Sequence, residues 1–218
     1  MPTTQDTTDE LQSVEPVRRR GRPSTRPSEE AIYAGALEAF AADGFAGASM
    51  RDIAARAGTS LSNLYNYVPS KEQLLAALLA HANDGLLERL RADDDADADP
   101  AERLRRLVRG YTYWTVDNRL AGLVAVTEVR YLRGEERAAV VAARDTTQAL
   151  FAQVVDAGVA SGVFTTAHPR GAVRALVLLC SAMATWYRPD GSRTPDELAD
   201  EQAALALDLV GAASHRGG

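Results

Sequence analysis

SMRDIAARAGTSLSNLYNYVPSK, residues Ser49–Lys71, is the stretch whose reading decides the fold. Ser49 is placed to cap a helix, its hydroxyl accepting a hydrogen bond from a backbone N–H that the first turn leaves unpaired. Ile53, Ala54 and Ala57 follow at helical spacing, and the alanines are small enough for a second helix to pack closely. Gly58 supplies the backbone freedom that ends this helix and turns the chain. A second short helix runs from about Ser60 to Tyr67 with Leu64 facing inward. Two short helices around a tight turn are either an ordinary helical hairpin or a helix-turn-helix whose second helix enters the DNA major groove.

Upstream, Ser28 caps a helix to about Asp43, where Gly44 ends it. Ile32, Ala36, Leu37, Ala39 and Phe40 form its buried stripe, and Glu29 and Glu30 complement the dipole of its first turn. Downstream, Ser70 with Gln73 three residues later opens a long helix to about Ala92. Asp93–Pro100 is a loop by charge, and its acidity is expected to limit non-specific DNA binding. Helices are then expected over 100–118, 120–132, 135–161, 168–187 and 194–213, with breaks at Gly134, Gly162, His168-Pro169 and Pro189–Ser192. Sustained period-two alternation is missing from the sequence, so the predicted class is all-α. The expected division is a 1–27 disordered N-terminus with a basic arm, a 28–72 three-helix DNA-binding domain and a 73–218 helical body.

The net charge of −6 runs against nucleic-acid binding until its distribution is read. Arg18, Arg19, Arg20, Arg22 and Arg26 gather the positive charge just before the first helix, and Asp93–Asp99 gather negative charge elsewhere. Segregated signs make the local basic face the relevant footprint. The lone Cys180 excludes an internal disulfide and fits a reducing, cytoplasmic setting. The longest apolar run, Ala172–Trp186, is broken by Arg174, so no membrane span is expected.

Ala57-Gly58-Thr59-Ser60 and then LYNYVPSKEQLL, residues 64–75, resemble the DNA-binding signature of the TetR/AcrR family of bacterial transcriptional regulators. Ala39-Phe40, Gly44-Phe45 and Ser49–Ala54 match that signature too, so the resemblance covers about the first 80 residues in detail. Val68 departs from the usual Phe, and Ser62-Asn63 from a frequent Gly-Thr. The resemblance implies a homodimer on a palindromic double-stranded operator, dimerisation through the last helices, and a small-molecule effector held in the body that releases the repressor from DNA.

Base choice is expected from the leading turn of the second short helix, Thr59, Ser60, Leu61, Ser62 and Asn63. Asn63 offers the donor and acceptor that an adenine edge asks for, and Leu61 suits a thymine methyl. Ser60 is divided between capping and DNA contact. Tyr65, Tyr67 and Lys71 resemble the family's phosphate-contacting positions, with one of the two tyrosines expected to pack as core against Phe45 or Phe40. Ser49 and Asn66 are further expected DNA contacts. Arg18, Arg19, Arg20 and Arg22 form an arm suited to the minor groove.

Trp114, Asn118, Glu128, Tyr131 and Trp186 are polar or aromatic residues on otherwise apolar helices and are the expected effector contacts. Singly, each reads first as structural, the aromatics as core filler and Glu128 as paired to Arg130 or Arg133, whereas for the body as a whole a pocket is expected. WYRPDG at 186–191 and TPDELA at 194–199 are similar to a subset of the family that senses acyl-CoA thioesters. Arg130, Arg133, Arg174 and Trp186 are then the expected partners of a CoA group. A free fatty acid or a hydrophobic drug is the alternative effector, and a DNA-binding protein without a small ligand is a third reading. Against an enzyme stand the isolation of His81, His168 and His215 and the lack of a phosphate-cradling glycine motif. No cofactor is expected.

Overall fold

The computed structural model describes residues 28–212. These form α1 (Glu29–Gly47), α2 (Met50–Arg56), α3 (Leu61–Tyr67), α4 (Lys71–Asp93), α5 (Pro100–Asp117), α6 (Arg119–Thr127), a 3-10 turn (Val129–Tyr131), α7 (Gly134–Ala160), α8 (Pro169–Trp186) and α9 (Pro195–Val210). The fold is all-α, as the periodicity predicts. The basic arm at 18–22 lies outside the described residues.

Each helix of the head begins at a serine that does what its chemistry allows. The Ser28, Ser49, Ser60 and Ser70 hydroxyls accept from Ala31 N, Asp52 N, Asn63 N and Gln73 N at 3.1–3.2 Å. Gly44 interrupts α1 with φ 67° and ψ 166°, a region that only glycine enters without strain. One further turn, Phe45–Gly47, therefore sits beyond the expected end. Gly35 lets α2 come close: a Cβ there would lie 2.7 Å from Ala57 N. Ile32, Phe40, Ile53, Leu64, Leu74 and Leu75 close the core behind this contact, each at most 1% exposed.

α4 joins the two halves by serving both cores. Leu74, Leu75, Leu78 and Leu79 pack with the head, whereas Leu86 and Leu90 pack in the body with Leu104, Phe151, Val154 and Leu176. The head's cluster also takes in Val124, Leu132 and Val140 from α6 to α7. In the body α9 lies along α5, and α7 packs on α4 and α8.

The Asp93–Asp99 run is largely consumed by structure. Asp93 meets Arg89 at 2.8 Å, Asp94 takes Arg103 in a two-pronged pair at 2.9 and 2.8 Å, and Asp95 meets Arg106 at 3.2 Å. Asp99 Oδ1 caps α5 through Ala101 N and Glu102 N. A loop so paired presents less free negative charge than its sequence suggests.

The apolar faces of α8 and α9 divide. Val173, Leu176, Cys180 and Ala184, with Leu198, Ala203 and Val210, are buried in the subunit. Leu178, Leu205 and Leu209 remain 65%, 46% and 42% exposed on the same two helices. Among the described residues no helix is long and apolar enough to cross a membrane, and no cluster of His, Cys, Asp or Glu is arranged to hold a metal ion.

Candidate DNA-reading face and effector cavity

α3 is anchored by Leu64, which is fully buried, and by Leu61, which packs against the head's core. This leaves Ser62, Tyr65, Asn66 and Tyr67 exposed and Asn63 half-exposed. Other residues expected at the DNA also make contacts within the head. Ser49 and Ser60 spend their hydroxyls as caps, and Ser49 Oγ also donates to Asp52 Oδ2 at 2.5 Å. Thr59 turns its Oγ1 inward, where it is buried and without a partner among the described residues. Leu61 is half-buried and packs against the head's core.

Neither tyrosine is core, since Tyr67 is 41% exposed, but the two differ in their contacts. Tyr67 hydroxyl donates to Tyr33 hydroxyl at 3.3 Å, and the rings meet edge-on at 6.4 Å. Its packing partner is Tyr33, not Phe45 or Phe40, which pack on each other at 5.5 Å. Burial raises the Tyr33 phenol well above its ordinary range, and the Tyr67 phenol is raised for the same leading cause. Tyr65 is 49% exposed.

Lys71 is held within the head. Its Nζ donates to Phe45 O at 2.6 Å and Ala48 O at 2.7 Å and lies 4.4 Å from the Phe45 ring centroid. An ammonium has three donors, and two close the carbonyl end of the turn after Gly44. The lysine caps that turn.

In the body, five helices from α4 to α8 surround a cavity of about 420 Å³. Its walls are mainly apolar, from Leu79, Leu86, Val140 and Val177 among others, with Asn83, Arg144, Asp145, Gln148 and Ser181 as polar points. Val126, Val141 and Leu178 are exposed and mark its mouth. Asn83 and Thr147 are fixed toward it by a short network: Thr147 Oγ1 donates to Asn83 Oδ1 at 3.1 Å, and Asn83 Nδ2 donates to Ala143 O at 3.0 Å. Arg144 is exposed as a residue, yet loss of solvation holds its guanidinium below the usual range, the mark of a group drawn partly inward. It donates to the Ala125 carbonyl at the end of α6.

Of the five residues expected to hold an effector, Trp114 alone lines this cavity. Asn118 is exposed beyond it and donates back to Trp114 O at 3.0 Å. Trp186 is half exposed on the surface at the end of α8. Tyr131 stacks on Phe45 at 5.1 Å. Glu128 is 5% exposed, and its Oε2 accepts from Phe45 N at 2.9 Å, so it pairs with neither Arg130 nor Arg133. The residues missed, Asn83, Arg144, Thr147 and Gln148, sit on helices whose stripes read as ordinary amphipathic surface. Arg130 lies over Tyr131 and Arg133 bonds local carbonyls. Arg174 lines a groove between α7 and α8 with Arg170 and Gln148, and Gln148 also lines the cavity.

Comparison with known proteins gives the same reading from two ends. Residues 32–78 match the family described as bacterial regulatory proteins, tetR family, and residues 97–210 match the tetracyclin repressor-like C-terminal domain. The HTH-type transcriptional repressor KstR2 of Rhodococcus jostii is 30% identical over 172 residues, covering 78% of this chain and 84% of that protein. The crystal structure of a tetR-family regulatory protein from Rhodococcus RHA1 superposes with a TM-score of 0.81 at 30% identity, covering 85% of this chain and 97% of its own. AibR, solved with isovaleryl coenzyme A and operator DNA, shares the fold with a TM-score of 0.76 at 24% identity over 87% of this chain and all of its own.

Proposed function

Because this chain belongs to the tetR family of bacterial regulatory proteins, we propose that it is a ligand-responsive repressor that binds a palindromic operator as a homodimer. The single observation that carries the reading is the pairing of an exposed α3 face with a mainly apolar cavity in the body, the two connected by α4 and α6. Ser62, Asn63, Tyr65 and Asn66 are the candidate DNA contacts on the described surface, and the Arg18–Arg22 arm supplies the phosphate charge. The dimer forms through α8 and α9, and the exposed Leu205 and Leu209 of α9 are apolar surface that a second copy would cover.

The effector is a small, mainly apolar molecule, since a cavity of about 420 Å³ lies within the range of small-molecule sites. An acyl-CoA thioester is the leading candidate. Its acyl chain would lie in the cavity and its phosphates toward Arg170 and Arg174, in the groove that shares Gln148 with the cavity. A free fatty acid or hydrophobic drug is the alternative. The decisive experiment is a footprint of the purified protein on the DNA upstream of its own coding sequence, repeated with added acyl-CoAs and with the matching free acids. Protection lost with the thioester alone supports the leading candidate, and equal loss with both sinks the thioester form. No protected site at any concentration sinks the repressor reading.

A further inference from the structure

The last turn of α6 is gripped from both sides. On the cavity side, the Arg144 guanidinium donates to the Ala125 carbonyl, and Gly122, Ala125 and Val126 of the same helix form the cavity wall. On the head side, Glu128 closes α6, its own N–H bonded to Val124 O at 2.9 Å, and its buried carboxylate accepts the Phe45 N–H. Tyr131, one short turn later, stacks on the Phe45 ring. Lys71 holds the same residue by its carbonyl. Phe45 opens the turn restarted after the Gly44 kink, and a restarted helix presents outward-pointing N–H groups that need an acceptor.

We propose that this turn is the switch contact, with Arg144 as the effector-sensing residue and Glu128 as the residue that positions the head. The proposal rests on the repressor reading above. An effector whose oxygen atoms accept hydrogen bonds, a carboxylate or a thioester carbonyl, draws Arg144 off the Ala125 carbonyl. The neighbouring Asp145 repels a carboxylate and favours the neutral carbonyl. The α6 end then loses its outer tether, Glu128 shifts with it, and the Phe45 N–H is released. The sign follows from geometry. A dimer must place two α3 helices about one DNA turn apart, and a head tied to the body is pre-organised for that spacing. Freed heads must be ordered again on the operator, so release weakens DNA binding.

The test uses full-length protein, its own upstream DNA labelled for anisotropy, and the variants Glu128→Ala, Glu128→Gln, Arg144→Ala, Arg144→Lys and the Glu128→Ala/Arg144→Ala double. Each alanine variant is expected to weaken binding about ten-fold, the scale of one hydrogen bond to a charged group. The double should be no weaker than the singles, because both cut one route. Glu128→Gln keeps an acceptor oxygen and should bind within about three-fold of wild type. Amide hydrogen exchange supplies a readout that needs no DNA: Arg144→Ala should speed exchange at Phe45–Ala48 while α5 and α8 stay protected. Unchanged Phe45 exchange in Arg144→Ala, or additive losses in the double, overturns the relay. Wild type that binds no upstream DNA overturns the repressor reading instead, and the exchange result still judges the relay. Octanoate and octanoyl-CoA serve as probes of the ligand half. Tighter binding of either to wild type than to Arg144→Lys supports the sensing role, and equal binding of both to the two proteins removes it.

Discussion

Tyr65 and Asn63 are separated by two positions on α3 and by kind of work. Tyr65 presents a hydroxyl from a half-exposed ring, a suitable donor to phosphate but not to a particular base. Tyr65→Phe should weaken binding to operator and random DNA alike by a few-fold, as measured by anisotropy on both. Asn63→Ala should instead relax one base position in a selection experiment, and an unchanged preference would remove Asn63 from the readout. Lys71, with its ammonium on two carbonyls and the Phe45 ring, predicts a stability effect. Lys71→Met should lower unfolding free energy by about 2 kcal/mol, read by denaturant melts, since two buried-side carbonyls lose a charged donor. A Lys71→Met protein with wild-type stability and impaired DNA binding would restore the phosphate role. Cys180 is 1% exposed and burial pushes its thiol up to about 12. Only the thiolate is the nucleophile, so the folded protein should resist thiol reagents at neutral pH until unfolded.

At the scale of elements, the head depends on close backbone approach between α1 and α2. Gly35→Ala places a Cβ 2.7 Å from Ala57 N and 3.1 Å from Ile53 O, and neither backbone atom can swing aside. The expected cost is about 1–3 kcal/mol, which for a chain of this size lowers Tm by about 2–10 °C. A melt unchanged within a degree would show that α2 slides freely. Helix positions were legible in the sequence because caps and glycines are local signals. The predicted ends at Asp43, Ala92 and Asn118 lie within one residue of a structural break or terminus. Which residue of a helix meets a cavity is set by how five helices cross, and single-helix periodicity does not contain that angle. Glu128 shows the difference: an acidic residue on an apolar helix read as a ligand contact, whereas its partner stands 83 residues earlier in the head.

For the whole molecule, charge and apolar surface decide assembly. The described head carries Glu29, Glu30, Glu38, Asp43, Asp52 and Glu72 against Arg51, Arg56 and Lys71, so it is acidic on its own. On the proposed reading, phosphate neutralisation falls heavily on the arginines of the arm. Deleting residues 1–27 should cost on the order of 100-fold in operator affinity near physiological salt and flatten the salt dependence by several counterions. A truncated protein with the full salt slope would place the phosphate contacts elsewhere. Leu205→Glu with Leu209→Glu should shift the protein from dimer toward monomer in sedimentation, because both side chains are exposed on α9 and a charge there cannot be buried against its twin. Unchanged sedimentation would move the interface away from α9.

The sequence alone determined the all-α class, the two short helices around the Gly58 turn and, through the matches spread over about the first 80 residues, the family, since capping hydroxyls, glycine turns and inward leucines act within a few residues of one another. Tertiary structure alone decided that Lys71 is a cap, that Thr59 faces inward, that the cavity is lined by Asn83, Arg144 and Gln148, and that Glu128 ties the body to the head. Those facts depend on contacts between residues far apart in the chain, made by helix crossings whose angles no local pattern encodes.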